Sequence, residues 1–147
     1  TTNGRLFIDG LNLRILTMLH IVRIPVELVL YGLYVYKAVP ELMTFEGRNY
    51  DIVSGLTVPI IYYLGFVKKQ FNTRLLLIWN FICLGLLFNI VVHAVLSAPF
   101  PFQQLAFDQP NIAVLHAPFN GLPSCVVPLV LLSHLAAIRQ LLRSKAT

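Results

Sequence analysis

The chain has 147 residues, of which 57% are hydrophobic and only 12% are charged, with a mean hydropathy of +0.76. Soluble domains carry about 25% charged residues, so this composition predicts a membrane protein. The net charge of +5 does not indicate a nucleic-acid partner, because the basic residues stand near the ends of predicted loops and form no patch interleaved with aromatic residues.

The first predicted transmembrane helix covers residues 11–36, which exceeds the roughly 20 residues needed to cross a bilayer. His20, Arg23 and Glu27 fall in one stripe of this helix, whose remaining surface is mostly leucine, isoleucine and valine. An ionised side chain that faces lipid costs several kcal/mol, so the stripe is expected to face protein or a wet cavity. Arg23 and Glu27 also have the i, i+4 spacing of an ion pair along one helix.

Three further transmembrane helices are predicted at residues 50–67, 75–97 and 121–143. The segment 98–120 has too many proline and polar residues to cross a bilayer and is too apolar for a free loop. We expect it to lie flat on the outer interface as two short helices that separate near Asp108. The predicted fold is all-α, a membrane-embedded bundle of four transmembrane helices with an interfacial outer segment, in one domain over residues 1–147.

The basic residues predict the orientation of this bundle. If the connection 68–74 is cytoplasmic, nearly all Lys and Arg residues lie on that side, and only Lys37 and Arg48 lie on the other. Both the N-terminus and the C-terminus are therefore predicted to be cytoplasmic.

Polar residues from all four predicted helices are expected to converge inside the bundle. At roughly 1.5 Å per residue, Arg23, Tyr62 and His134 reach one depth, and Glu27 and Asn89 reach another. The candidate ligand-binding site or buried polar network consists of Arg23, Glu27, Tyr62, Asn89, His134 and His20. No catalytic residues and no metal site are predicted, because the sequence lacks zinc-protease, nucleophile-elbow and phosphate-loop motifs. We therefore expect a protein that is not an enzyme.

Three interpretations of this interior remain open. The network can be structural and bind nothing, or it can bind a small lipid-like or anionic ligand or dock a membrane partner. The alternative is a haem-binding or proton-translocating redox protein in which His20 and His134 ligate haem b or relay protons. These two histidines differ by roughly 6 Å in estimated depth. Except in that alternative, no cofactor is expected.

Long segments, among them LHIVRIPVELVLYGLY and VPELMTFEGRNYDIVSGLTVPIIYY, resemble uncharacterised multi-pass integral membrane proteins of bacteria, of the Bacteroidetes kind. The resemblance implies the bacterial inner (cytoplasmic) membrane and assigns no activity. It also implies that related proteins have further hydrophobic segments before the matching region, so that this chain corresponds to their C-terminal part and has N-terminal helices as partners. Relatives are expected to have Asn at His93 and Tyr at His116, which counts against a haem or metal role for these two residues.

Overall fold

The protein is described by a computed structural model over residues 2–144, with side chains from residue 4 onward. In this part of the chain the fold is all-α, as predicted: α-helices alternate with short 3₁₀ and π turns and irregular loops, and no β-strand is present. In chain order the helices are α1 (Thr2–Gly10), α2 (Leu13–Leu19), α3 (Arg23–Val35), α4 (Asp51–Tyr62), α5 (Thr73–Leu96) and α6 (Val127–Arg143).

The first predicted helix is present but interrupted. A 3₁₀ turn, His20–Val22, joins α2 directly to α3. Pro25 explains the interruption, because it has no N–H to return to the carbonyl of Ile21 and its ring crowds that carbonyl. The backbone instead tightens, and the N–H of Arg23 bonds to the carbonyl of His20. The interruption lies at two of the predicted site residues, His20 and Arg23. We call this place in the helix, residues 20–23, the bend.

The other predicted helices lie close to their expected positions. Helix α4 continues into a π turn, Tyr63–Val67, and α6 follows a second π turn, Leu122–Val126. Helix α5 begins after Asn72, whose side-chain oxygen accepts from the N–H of Leu75 at 3.0 Å and so caps the helix. Hydrophobic runs therefore predicted these elements to within a few residues.

The two short helices predicted in the segment 98–120 are not formed. The segment is made of turns with a single 3₁₀ turn, Ala113–Leu115. Prolines are the physical reason, because each removes a donor and biases the preceding residue away from helix; they are Pro99, Pro101, Pro110 and Pro118. The segment is fixed over the ends of α3 and α5, since the N–H groups of Ile112 and Ala113 both donate to the carbonyl of Ala38 at 3.0 Å.

Two helices of the described chain are long and apolar enough to cross a membrane. They are Thr73–Leu96, with a mean hydropathy of 2.5, and Leu122–Arg143, with 1.8. Asp51–Val67 is apolar but shorter, and the first helix is divided into pieces of 7, 3 and 13 residues. The prediction of four transmembrane helices is therefore not confirmed.

Helix α1 was not predicted, and it packs on α6 through polar contacts. Asp9 accepts hydrogen bonds from Arg139, at 2.9 Å from Nε and 3.1 Å from Nη2, and it also pairs with Arg143. The hydrogen bond from Arg139 is the main reason that the pKa of Asp9 lies below its ordinary value. The side chain of Gln140 donates to the carbonyls of Ile8 and Leu11 at 2.8 and 2.9 Å. These contacts hold α1 against the last turns of α6.

Helix α4 approaches the interrupted helix closely at Gly55. A Cβ atom at this position would lie 2.8 Å from Cγ1 of Ile24 and 3.3 Å from its backbone nitrogen. Only glycine therefore allows this separation. Asp51 lies one helical turn before Gly55 on the same face of α4, so the close approach brings its carboxylate to the bend.

Candidate functional site

Arg23 joins the main helices of the bundle. It is the first residue of α3 and is 2% exposed. Its Nη1 donates to Oδ1 of Asp51 at 2.5 Å and to the carbonyl of Cys83 at 3.2 Å. Its Nη2 donates to Nε2 of His134 at 2.8 Å. Because these partners belong to α4, α5 and α6, one guanidinium connects α3 to all of them.

The hydrogen bonds around His134 determine its tautomer. A guanidinium can only donate, so Nε2 of His134 must accept from Arg23 and carries no proton. Nδ1 then carries the proton and donates to Oδ1 of Asn80 at 3.0 Å. The amide nitrogen of Asn80 in turn donates to the carbonyl of Leu76 at 2.9 Å. His134 is therefore a neutral imidazole with both nitrogens engaged.

His20 stacks on His134, with ring centroids 4.0 Å apart and planes inclined by 17°. Trp79 meets the ring of His20 edge-on at 5.7 Å. The hydroxyl of Ser133 donates to the carbonyl of Leu16 at 2.8 Å, so Nε2 of His20 is the donor in its 3.3 Å contact with the same hydroxyl. Nδ1 of His20 is then a buried acceptor without a hydrogen-bond partner.

Asn49 connects the carboxyl group of Glu27 to the backbone of Asp51. Its amide nitrogen donates to Oε1 of Glu27 at 2.5 Å and to the carbonyl of Met43 at 3.0 Å. Its amide oxygen accepts from the backbone N–H of Asp51 at 3.0 Å. Glu27 is 1% exposed, and its other oxygen, Oε2, has no hydrogen-bond partner. Only one of the two carboxyl oxygens of Glu27 is therefore engaged in a hydrogen bond.

The buried polar cluster, as we call this group, contains the following residues: His20, Arg23, Glu27, Asn49, Asp51, Asn80, Ser133 and His134. Four of the six predicted site residues are in it. The other two make their contacts elsewhere: the side chain of Asn89 donates to the carbonyl of Arg48 at 2.8 Å, and Tyr62 is half-buried with its ring 5.7 Å from Phe66.

The expected ion pair between Arg23 and Glu27 along one helix is not the pair that forms. Arg23 pairs with Asp51 on α4 instead, and Glu27 bonds to Asn49. The close approach at Gly55 explains the difference, because α4 brings a carboxylate directly to the guanidinium. Asp51 could have been recognised from the sequence because it stands four residues before Gly55 and therefore shares its face of α4. The remaining members (Asn49, Asn80 and Ser133) had no comparable signal, since they depend on contacts between helices.

The two histidines do not fit a haem iron. Axial histidines point their nitrogens at the iron from opposite faces of the porphyrin, so their rings cannot stack on each other as His20 and His134 do. The predicted depth difference of roughly 6 Å between them is also wrong, because their ring centroids are only 4.0 Å apart. Among the described residues no group of three or more His, Cys, Asp or Glu could hold a metal ion.

Two hydrogen-bond chains lead from these histidines to the backbone. His134 passes its hydrogen bond to Asn80, which ends on the carbonyl of Leu76. His20 bonds to Ser133, which ends on the carbonyl of Leu16. Both chains therefore end at backbone carbonyls, which do not carry protons onward.

A cavity of about 170 Å³ lies beside the buried polar cluster. Its floor includes Glu27 and Asp51, and its walls are apolar side chains of α3, α5 and the start of α6. The segment 98–120 covers it with Asn111, Ala113 and Phe119. Asn111 is fully buried, and its amide oxygen has no hydrogen-bond partner. The cavity is thus mainly apolar, with a few polar groups at its edges.

No curated protein matches this chain, and no solved structure does. The model of one family, described as a domain of unknown function (DUF8737), matches residues 9–142. The match includes every residue of the buried polar cluster and of the cavity lining. Because it covers most of the chain, the protein belongs to this family of domains of unknown function.

Proposed function

We propose that the protein is an integral membrane bundle that binds a small, lipid-like molecule in the cavity beneath the segment 98–120. The observation that carries the proposal is the cavity itself: about 170 Å³, mainly apolar, and bounded on one side by fixed polar groups. Binding sites for small molecules have this composition, with many apolar contacts and a few polar groups that orient the ligand.

The distribution of side chains supports the membrane location. Large apolar side chains cover the outside of α5, among them Ile78, Phe81, Ile82 and Phe88, and each is more than half exposed. The charged residues and histidines of the buried polar cluster are inside, and each residue is 5% exposed or less. In water this arrangement would expose a large apolar surface, whereas a bilayer solvates it.

The resemblance to known proteins and the distribution of basic residues both favour the bacterial inner membrane. The resemblance to bacterial multi-pass proteins and the excess of basic residues near 68–74 support cytoplasmic N- and C-termini. Under this proposal the interrupted helix and Asp51–Val67 also cross the bilayer, packed against α5 and α6.

The ligand is better described as lipid-like than as anionic. An anion would need Arg23, but Arg23 does not line the cavity. Both terminal nitrogens of its guanidinium are already bonded to Asp51, His134 and the carbonyl of Cys83, and only Nε has no partner. Displacing Asp51 would leave its carboxylate buried and unpaired, which costs more than one new ion pair returns. Arg23 therefore supports the site by positioning the helices.

Two neighbouring valines of α5 allow a matched test. Val91 lines the cavity, whereas Val92 is 49% exposed on the outside of the same helix. Val91→Phe should fill the cavity, and Val92→Phe adds the same side chain to the outer surface. Native mass spectra from gentle detergent should show a non-covalent small-molecule adduct on the wild type and on Val92→Phe, and none on Val91→Phe.

Each result of that comparison is informative. An adduct that persists on Val91→Phe would place the bound molecule outside the cavity and overturn the proposal. A wild type without any adduct would also count against it. A second polypeptide in place of a small molecule would show instead that this family docks a membrane partner.

A further inference from the structure

The charges and the unpaired oxygens around the cavity indicate what kind of polar group its ligand carries. We infer that the ligand is a small amphipathic amine, with an apolar body in the cavity and a cationic nitrogen next to Glu27. The inference rests on the proposed function, because it specifies the molecule that the same cavity binds.

The first argument is the charge balance of the buried polar cluster. It contains one guanidinium, Arg23, and two carboxyl groups, Glu27 and Asp51. His134 is neutral because it accepts from Arg23 and donates to Asn80. The direct pair of Arg23 with Asp51 leaves Glu27 without a positive partner. A buried carboxyl group of this kind is either protonated or ionised beside a cation, and a bound amine would supply that cation at hydrogen-bond distance.

The second argument is the set of unpaired oxygens. Oε2 of Glu27 and Oδ1 of Asn111 both belong to residues that line the cavity, and both are buried acceptors without a partner. The orientation of the Asn111 amide is fixed, because its nitrogen donates to the carbonyl of Ala94 at 3.2 Å. Two acceptors require donors, and a primary ammonium has three N–H groups. The same positions would repel the oxygens of an anion.

The third argument is size. A cavity of 150 Å³ lined by apolar side chains is known to hold benzene, so about 170 Å³ accommodates a body of benzene size with a short polar arm. The apolar part would contact Leu30, Leu87 and Ile90, which are all buried in the cavity wall. A complete phospholipid is too large to fit within this volume.

Three isosteric probes test the inference: benzylamine, benzyl alcohol and ethylbenzene, which differ only in the end group. Benzoate serves as the anionic comparison. Calorimetric titration of the detergent-solubilised protein at neutral pH, where benzylamine is a cation, gives each dissociation constant. We expect benzylamine to bind about 10- to 100-fold more tightly than ethylbenzene, as a hydrogen bond to a charged group would give. Benzyl alcohol should be intermediate, and benzoate weakest.

Glu27→Gln is the isosteric variant that removes the charge, and it should abolish the preference for benzylamine over benzyl alcohol. Val91→Phe should abolish binding of all the probes. The order of affinities in the wild type does not depend on whether either variant folds.

The outcomes separate this inference from the proposed function. Equal binding of the probes, lost in Val91→Phe, would keep the cavity as the binding site and overturn its preference for a cation. Tightest binding of benzoate, or a benzylamine preference that survives in Glu27→Gln, would likewise overturn the inference. A wild type that binds no probe at all would overturn both.

Discussion

At the scale of single residues, the sequence predicted that Arg23 and Glu27 are buried, but neither the burial of Asp51 nor how these groups are paired. Arg23 and Glu27 were expected inside because a charge in an apolar helix has to avoid lipid. Arg23 pairs with Asp51, the first residue of α4, and Glu27 bonds to Asn49, which lies two residues before that helix. Such pairings depend on the separation and rotation of neighbouring helices, which one sequence does not contain.

The pairing predicts how the buried polar cluster responds to substitution. Arg23→Met leaves the carboxylate of Asp51 buried without a positive partner and should lower the free energy of unfolding by about 3–5 kcal/mol. Combining Arg23→Met with Asp51→Leu should restore most of this loss, because both charges are then absent. Reversible unfolding in detergent measures both variants. A double variant as unstable as the single one would show that the pair with Asp51 is not the main role of Arg23.

At the scale of helices, hydropathy predicted where the long elements lie, and local chemistry decided their details. The interruption at His20–Val22 follows from Pro25, but proline also permits simple kinks, so the pattern did not specify a 3₁₀ turn. Helix α1 escaped prediction because it is short and is held by contacts with α6, 130 residues away. Tyr62 was predicted in the site from its depth along the helix, whereas its ring packs beside Phe66 in the π turn that follows α4.

The close approach of α4 to the bend gives a prediction for glycine substitutions. Gly55→Ala places a Cβ atom 2.8 Å from Cγ1 of Ile24 and 3.3 Å from its backbone nitrogen, and the backbone atom cannot move aside easily. This variant should be destabilised by about 1–3 kcal/mol. Gly32→Ala is the matched control, since no neighbouring atom lies within 4 Å of the added Cβ.

The control should be unchanged or more stable by about 0.5–1 kcal/mol, because alanine favours a helix over glycine. Thermal unfolding in one detergent compares the two variants directly. If Gly55→Ala and Gly32→Ala melted alike, the contact between α4 and the bend would be looser than the distances to Ile24 indicate.

At the scale of the whole molecule, the central question is how many helices cross the bilayer. The sequence predicted four, whereas two of the described helices meet the length and composition of a span on their own. The difference arises because a 3₁₀ turn divides the first helix and because Asp51–Val67 has fewer than the 18 residues that a span requires. The number of transmembrane helices is therefore larger when it is judged from hydropathy alone than when each span must also be one helix of sufficient length.

Two lysines distinguish the topologies. With four spans, Lys37 and Lys69 lie on opposite sides of the membrane, whereas with only α5 and α6 as spans they lie on the same side. Both are exposed and have similar positive φ angles, 59° and 52°, so replacement by cysteine disturbs them equally. In a Cys125→Ser background, a membrane-impermeant maleimide should label Lys37→Cys on intact cells and Lys69→Cys only after permeabilisation. Equal labelling of both would contradict four spans.

The hydrogen bonds that fix the segment 98–120 also have a kinetic consequence. Asn111 donates from its backbone to the carbonyl of Ser97 at 2.8 Å, and the side chain of Gln109 donates to the carbonyls of Val39 and Tyr34 at 2.5 and 3.2 Å. Under the proposed function, a molecule that entered the cavity beneath this segment would have to wait for these bonds to break together. Its residence time would then be set by the opening rate of the protein, and molecules of very different affinity for the cavity would leave it at similar maximal rates.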